Sequence, residues 1–560
     1  MQRKKLLFAL MLPLMLIGTA CSTKPNSSES GSSDISSSEL TTSEEILSSV
    51  LSTIVPSTDE VTTSNGVTTS EGATTSNGVT TSEGGTTSNG VTTSDKVTSS
   101  KDNDSKESSK PSSSSSLPSS FVSVETPKPK DGDIYISPNG SDSNDGSKER
   151  PFYSLAKAVS YVQPGTTIFC EEGTYKFSER INLTASGTED KPITIQATDW
   201  KNVVFDFSDQ PYGFNSSTYV GIYLKGNYWR LQGLEICHAG DNGIKVEGSY
   251  NYIGRCVLHH NGDSGIQLGF GHDFSASGLG SKNDGSFCAY NLIENCDSYL
   301  NYDFDNWGDA DGFACKMHNG IGNVFKGCRA WSNVDDAWDL YETDFAVGLI
   351  DCWCWGSAKL NDFKNDPYFS DSAYLAKKGS IKAIKVSGVG NGNGMKFGGN
   401  GTGGSSKGTH YAINCVSFNN DKSSSNKGFD ENSHGDGVIL ENCVGWDNGY
   451  NYMFENGGSK TSFTNCVSFY TETRGTSYNK ANRLAGECGS GGTVTNCNFT
   501  LDGGDLAHNK PYITASDFVT LSENDAKAPR QNDGSLPNNG FAMIKESSSF
   551  YASKIGLKHD

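Results

Sequence analysis

A chain of 560 residues with a formal net charge of −20 lacks the basic footprint that a phosphate backbone requires, so a nucleic-acid partner is excluded. Asp and Glu number 65 against 45 Lys and Arg. An anionic substrate would therefore have to be met through a cationic mediator.

The N-terminus reads as an export signal. Residues 2–5 carry three basic side chains, residues 6–17 are almost wholly apolar, and Gly18-Thr19-Ala20-Cys21 follows. The apolar run is too short to cross a bilayer. Small residues directly before a cysteine resemble a bacterial lipoprotein signal, which implies cleavage there and lipid attached to Cys21. Ordinary cleavage and full secretion is the alternative. The expected location is extracellular, anchored at the cell surface, with the lipid on Cys21 as the sole link to a membrane.

Residues 22–130 are built mainly from Ser, Thr, Gly, Asn, Glu and Asp. A six-residue repeat runs through 61–96 as VTTSNG, VTTSEG, ATTSNG, VTTSEG, GTTSNG, VTTSDK. So few large apolar groups cannot offset the entropy of ordering the chain. The segment is expected to be a disordered tether between residues 1–21 and a folded domain at 131–560.

The folded domain opens with IYISPNGSDSNDGSKERPFYSLAKAV. A strand at 134–136 and an amphipathic helix at 154–162 are expected to cap an otherwise open end. From about Asn227 two units recur. The first is an apolar strand closing on cysteine, at Cys237, Cys256, Cys296, Cys328, Cys352, Cys415, Cys443, Cys466 and Cys497. Repeats stacked about 4.8 Å apart would bring these nine into one interior column of mostly free thiols. The second unit is a polar pair, a small residue and an alternating strand: DNGIKV, DSGIQL, ADGFAC, DDAWDL, NGMKF and KGFDEN. The predicted fold is all-β, a right-handed, single-stranded parallel β-helix with an N-terminal cap, and the chain is expected to act as a monomer.

Alternation within the second unit sets which way each side chain faces. Ile244, Ile266, Phe313, Trp338, Met395 and Phe429 should point into the barrel. Lys245, Gln267, Ala314, Asp339, Lys396 and Asp430 should point out. Asp311 and Asp336 should stack just before their strands, with Asp335 beside Asp336. Four carboxylates so close repel unless neutralised. Oxygen donors without His or Cys favour Ca²⁺. Lys396, set among glycines in NGNGMKFGGNGTGG, is the candidate general base, because a neighbouring cation disfavours its ammonium form. Lys316 is the rival base and a substrate-binding candidate, with Arg329, Asn400 and Lys427. Arg329 could instead pair with a neighbouring coil. Trp331 and Tyr341 could stack on sugar rings or pack in the fold.

A uronate has an acidic proton at C5, beside its carboxylate. Charge on that carboxylate and a neutral amine at the proton suffice for β-elimination across C4–C5. The segments ADGFACK, GCRAWSNVDDAWDLYET, GNGMKFGGN and KGFDEN resemble the family 9 polysaccharide lyases, the parallel β-helix pectate lyases. The tail DFVTLSENDAKAPRQNDGSLP is similar to that family's C-terminal segment. The resemblance covers roughly residue 131 onward. It implies Ca²⁺-dependent eliminative cleavage of polygalacturonate (pectate) to 4,5-unsaturated oligogalacturonides. It also puts Asp311, Asp335, Asp336 and Asp339 at the calcium ligands and Lys396 at the catalytic lysine. The alternatives are a non-catalytic carbohydrate-binding or adhesive β-helix with structural calcium, and a lyase for another uronate polymer. A β-helix hydrolase is disfavoured, because no Gly-His-Gly segment occurs. The long loop at 356–393 has no assigned role.

Overall fold

The computed structural model describes residues 127–213, 217–270, 284–378, 389–399, 406–420, 426–455, 461–471, 482–484, 492–500 and 513–558. The expected export signal, Cys21, the repeat tract and Asn400 lie outside them.

Among the described residues three parallel sheets form the walls of a right-handed β-helix. A twelve-stranded sheet runs from Ile134–Ile136 to Thr493–Thr495. A ten-stranded sheet, here the site sheet, runs from Ile181–Leu183 to Asn482–Leu484. A second ten-stranded sheet, the tail-covered sheet, runs from Gly173–Lys176 to Val467–Phe469. No strand of this length could bury enough surface alone, so each coil depends on its neighbours. The coils begin earlier than expected: Thr167–Cys170 and Gly173–Lys176 already lie in their sheets, well before Asn227. The first of these strands also ends on a buried cysteine, Cys170, in register with Ala197 on the next coil. The capping helix is Leu155–Val159, shorter than 154–162, and the Ser154 side chain accepts from the Lys157 N–H at its start.

Eight cysteines form the interior column. Cys256 N–H donates to Cys296 Sγ at 3.4 Å, and the Cys296, Cys328, Cys352, Cys415, Cys443 and Cys466 thiols each donate to a carbonyl of the preceding coil. Cys466 N–H donates to Cys497 Sγ. All described cysteines are free thiols. Cys237 is not in this column. It is in register with His259 on the tail-covered sheet, and Leu234 fills the interior place. In LQGLEIC the ladder position is Leu234; Cys237 comes three residues later, where other coils carry an outward ring.

Those rings make an external ladder. His259, Tyr299, Trp331, Trp355, Phe418, Trp446 and Phe469 are in successive register, with centroids 4.4 to 5.8 Å apart. Trp331 is therefore locked between Tyr299 and Trp355, not free to stack on a sugar. The chain's tail covers the later rungs: Phe518 stacks on Phe469, and Phe541 contacts Trp353, Phe418 and Trp446.

Asparagines line a corner of the coils. Asn261 Nδ2 donates to Asn301 Oδ1 at 3.0 Å, and Asn301 Nδ2 to Asn333 Oδ1 at 2.9 Å. Replacing Asn301 with alanine should cost about 1–3 kcal/mol, because it leaves the Asn261 donors buried and unpaired. The urea midpoint would report it; an unchanged midpoint would show that the column contributes no stability.

Candidate functional site

The site sheet has the register that alternation demands. Ile244, Ile266, Phe313, Trp338, Met395 and Phe429 are paired in succession and buried in the barrel. Ala314, Asp339, Lys396 and Asp430 are therefore consecutive on the opposite side of the same strands. They are nevertheless covered, with Asp339 4% and Lys396 7% exposed.

Asp311 and Asp336 stack one coil apart: Asp336 O accepts the Gly312 N–H, and Asp311 Oδ1 accepts the Asp336 N–H at 3.2 Å. One carboxylate oxygen from each of Asp311, Asp336 and Asp339 lies within 4.8 Å of the others, and all three residues are buried. Asp335 stands at the edge of this group. Its Oδ1 accepts the Asn391 N–H, and its Oδ2 is buried without a partner.

Two lysines enter the cluster from different coils. Lys396 Nζ is 3.1 Å from Asp336 Oδ2 and 3.1 Å from Asp339 Oδ1. Lys316 Nζ is 2.7 Å from Asp311 Oδ2 and 3.5 Å from Asp339 Oδ2. Asp339 is thus clasped by both ammonium groups. Lys316 lies two residues past Ala314, which pairs with Asp339, and its long stem reaches back. It was expected at the substrate; here its ammonium is spent on the carboxylates.

Charge dominates this pocket. Burial pushes the Asp311 carboxyl up, and Asp339, Asp335 and Asp336 add to that against the pull of Lys316. Burial and then Asp336 push Asp335 up; burial does the same to Asp336 against Lys396. Burial disfavours the Lys396 ammonium, but Asp339, Asp336, Asp335 and Asp311 outweigh it and hold the group well above the usual lysine range. The ionised aspartates around it thus favour its ammonium form.

Fully ionised, four carboxylates and two ammoniums would leave two negative charges, and the upward shifts of Asp311, Asp335 and Asp336 reflect that excess. Asp335 Oδ2, Asp336 Oδ2 and Asp339 Oδ1 are buried without an aligned hydrogen-bond donor. An all-oxygen donor set with that deficit fits a hard divalent cation such as Ca²⁺.

The other expected residues separate. Arg329 is not at the site. It lies on the tail-covered sheet, 4% exposed, with Nε and Nη2 on the two oxygens of Asp297 at 2.8 and 2.7 Å and Nη1 on the Ala526 and Ala528 carbonyls. This is the second of its two expected roles, a pair with the neighbouring coil, since Asp297 stands directly opposite it on the preceding strand. Lys427 lies one coil past Lys396, with Nζ 3.2 Å from Asp430 Oδ2. The Tyr341 ring stays near the cluster, its centroid 5.6 Å from Lys396 Nζ.

Sequence reading missed an acidic extension. Asp241 and Asp263 hold, three and two coils earlier, the strand position of Asp335. Asp303 lies close by, pushed up to about 7 by burial and then by Asp263 and Asp309. The DNG and DSG that open their units were visible signals.

A family model described as Pel9A-like, right handed beta helix region matches residues 134–465. Pectate lyase L of Dickeya chrysanthemi is 33% identical over 425 residues, covering 74% of this chain and 84% of that protein. Pectate lyase L of Paenibacillus polymyxa (strain SC2) is 33% identical over 429 residues, covering 75% and 83%. The crystal structure of pectate lyase Pel9A superposes with a TM-score of 0.57 at 31% identity, covering 75% of this chain and 90% of that one.

Proposed function

The chain belongs to the Pel9A-like right-handed β-helix family and is a polysaccharide lyase, and from that premise we propose that it cleaves polygalacturonate by calcium-dependent β-elimination with Lys396 as the base. One observation carries this reading: Lys396 Nζ lies 3.1 Å from both Asp336 and Asp339, in a buried pocket where four carboxyls face two lysines.

Asp311, Asp335, Asp336 and Asp339 would hold the cation, which supplies the positive charge for a uronate carboxylate and balances the aspartates around Lys396. With Asp336 and Asp339 otherwise engaged, the Lys396 amine no longer gains from staying protonated. It takes the C5 proton at Nζ. The electron pair left at C5 forms the C4–C5 double bond as the C4–O bond breaks, and the leaving oxygen takes a proton from solvent. Lys316, by holding Asp311 and Asp339, fixes where those carboxylates stand. Tyr341 walls the base. Because the reactive form of Lys396 is neutral, kcat/KM should rise towards alkaline pH. The leader at 1–21 and the repeat tract would place the domain outside the cell on a tether, joined to a membrane through Cys21.

The test follows the absorbance of the unsaturated product on polygalacturonate. A chelator should abolish its formation and added Ca²⁺ should restore it. Chain cleavage without that absorbance would replace elimination with hydrolysis, and full activity in chelator would remove the cation from the reaction.

A further inference from the structure

A second cluster of metal-binding side chains lies on the tail-covered sheet, a different wall from the aspartates. Glu235–Cys237 and Val257–His259 are neighbouring strands, with Cys237 opposite His259. Their side chains therefore stack about 4.8 Å apart on the outer side. His238 follows Cys237 at a φ of +62, a left-handed turn that brings its ring alongside. One donor atom from each of Cys237, His238 and His259 lies within 4.8 Å of the other two, and all three residues are buried.

The surroundings are built for such a site. Asp206, one coil before Cys237 in register, takes His238 Nδ1 at 3.0 Å. That fixes the ring and leaves Nε2 buried without a partner. A carboxylate on the far nitrogen is the arrangement that orients a ligand histidine. His259 is held by His260 Nδ1 at 2.7 Å and Glu235 at 3.2 Å, and one of these contacts must yield for it to coordinate. The insertion at 360–378 roofs the cluster: the Tyr368 and Tyr374 rings lie 4.5 and 5.2 Å from His238, and Lys378 donates to the His238 carbonyl.

We propose that Cys237, His238 and His259 form a second metal site, selective for a borderline divalent transition ion of the zinc class. One thiolate and two imidazoles are soft to borderline donors, the set that takes Zn²⁺ in four-coordinate geometry. The fourth place falls to water, because His260 faces His259 with Nδ1 and Asp366 Oδ1, 3.2 Å away, with Nε2. The chain thus sorts two cations by donor chemistry: oxygen on one wall, nitrogen and sulfur on another. Binding releases the thiol proton to solvent.

Cobalt(II) is the probe, because its spectrum reports both thiolate ligation and tetrahedral geometry. The full chain is stripped with chelator, refilled with Ca²⁺ and titrated with Co²⁺. The expected result is a thiolate-to-cobalt charge-transfer band saturating at one equivalent, bleached by one equivalent of Zn²⁺. Cys237→Ala should abolish the band, and Asp339→Asn should leave it. Absence of the band in the unsubstituted chain overturns the proposal without recourse to any variant. Persistence of the band in Cys237→Ala overturns it equally.

Discussion

Lys396→Ala lowers kcat on polygalacturonate by roughly 10²- to 10⁴-fold, the usual contribution of a positioned base. Substrate binding should survive, since on the proposed function the carboxylates that would meet the substrate through a cation remain. The comparison that matters is with Lys316→Ala. Both ammoniums touch Asp339, so loss of either changes the charge of the same pocket. Only Lys396 bridges Asp336 and Asp339, the place from which a proton on the bound sugar would be taken. Lys316→Ala should shift the calcium requirement and retain most of kcat at saturating Ca²⁺. A larger kcat loss in Lys316→Ala than in Lys396→Ala would exchange the two roles. Lys396→Arg should stay inactive, because a guanidinium cannot deprotonate in this range.

Asp297→Asn should destabilise the fold by about 3–5 kcal/mol, the cost of leaving buried charge without its partner. The Asp297 carboxylate is shared by two arginines: Arg329 takes both oxygens, and Arg530 Nη2 takes Oδ1 at 2.7 Å. Arg530 also donates to the carbonyls of Gly327, Gly534 and Cys296. Burial opposes the charge on Asp297, but Arg530 and then Arg329 outweigh it and hold the carboxyl down to about 2. A folded-state value below the ordinary carboxylate value of about 4 means that this contribution is complete above pH 4 and is lost as pH falls through 2. Urea unfolding at neutral pH would measure the variant. A shift under about 1 kcal/mol, the range of an exposed ion pair, would show that the clasp is not a buried charge network.

The site was legible because a parallel β-helix turns sequence spacing into position. Once Trp338 and Met395 are assigned inward, Asp339 and Lys396 must be neighbours, and they are. The interior thiols were legible for the same reason, from Cys256 onward. Periodicity within a coil does not say which wall a strand joins, so it left Arg329 between a substrate clamp and a pair with the neighbouring coil; the pair with Asp297 is what forms. Nor does it reveal a contact between Asp297 and Arg530, which depends on how the tail folds back. Cys237 looked like a ladder cysteine because LEIC has the right letters, three residues out of phase. The loop at 356–393 gave no local signal of its role, since its aromatic residues find partners far away in sequence, His238 and His260 among them.

The Asp297 clasp also bears on how the molecule is made. Coils can stack one on another in the order the chain emerges, each new strand finding its edge waiting. The flank over Asp297 has no such luck: the Cys296 and Gly327 carbonyls stand open until Arg530 arrives, and Arg329 Nη1 until Ala526 and Ala528 do. Synthesis delivers the N-terminus first, so a nearly finished solenoid waits for its last residues with one side unsealed. A partner protein fused after Asp560 leaves that closure intact; one that replaces the chain from Lys527 onward removes it.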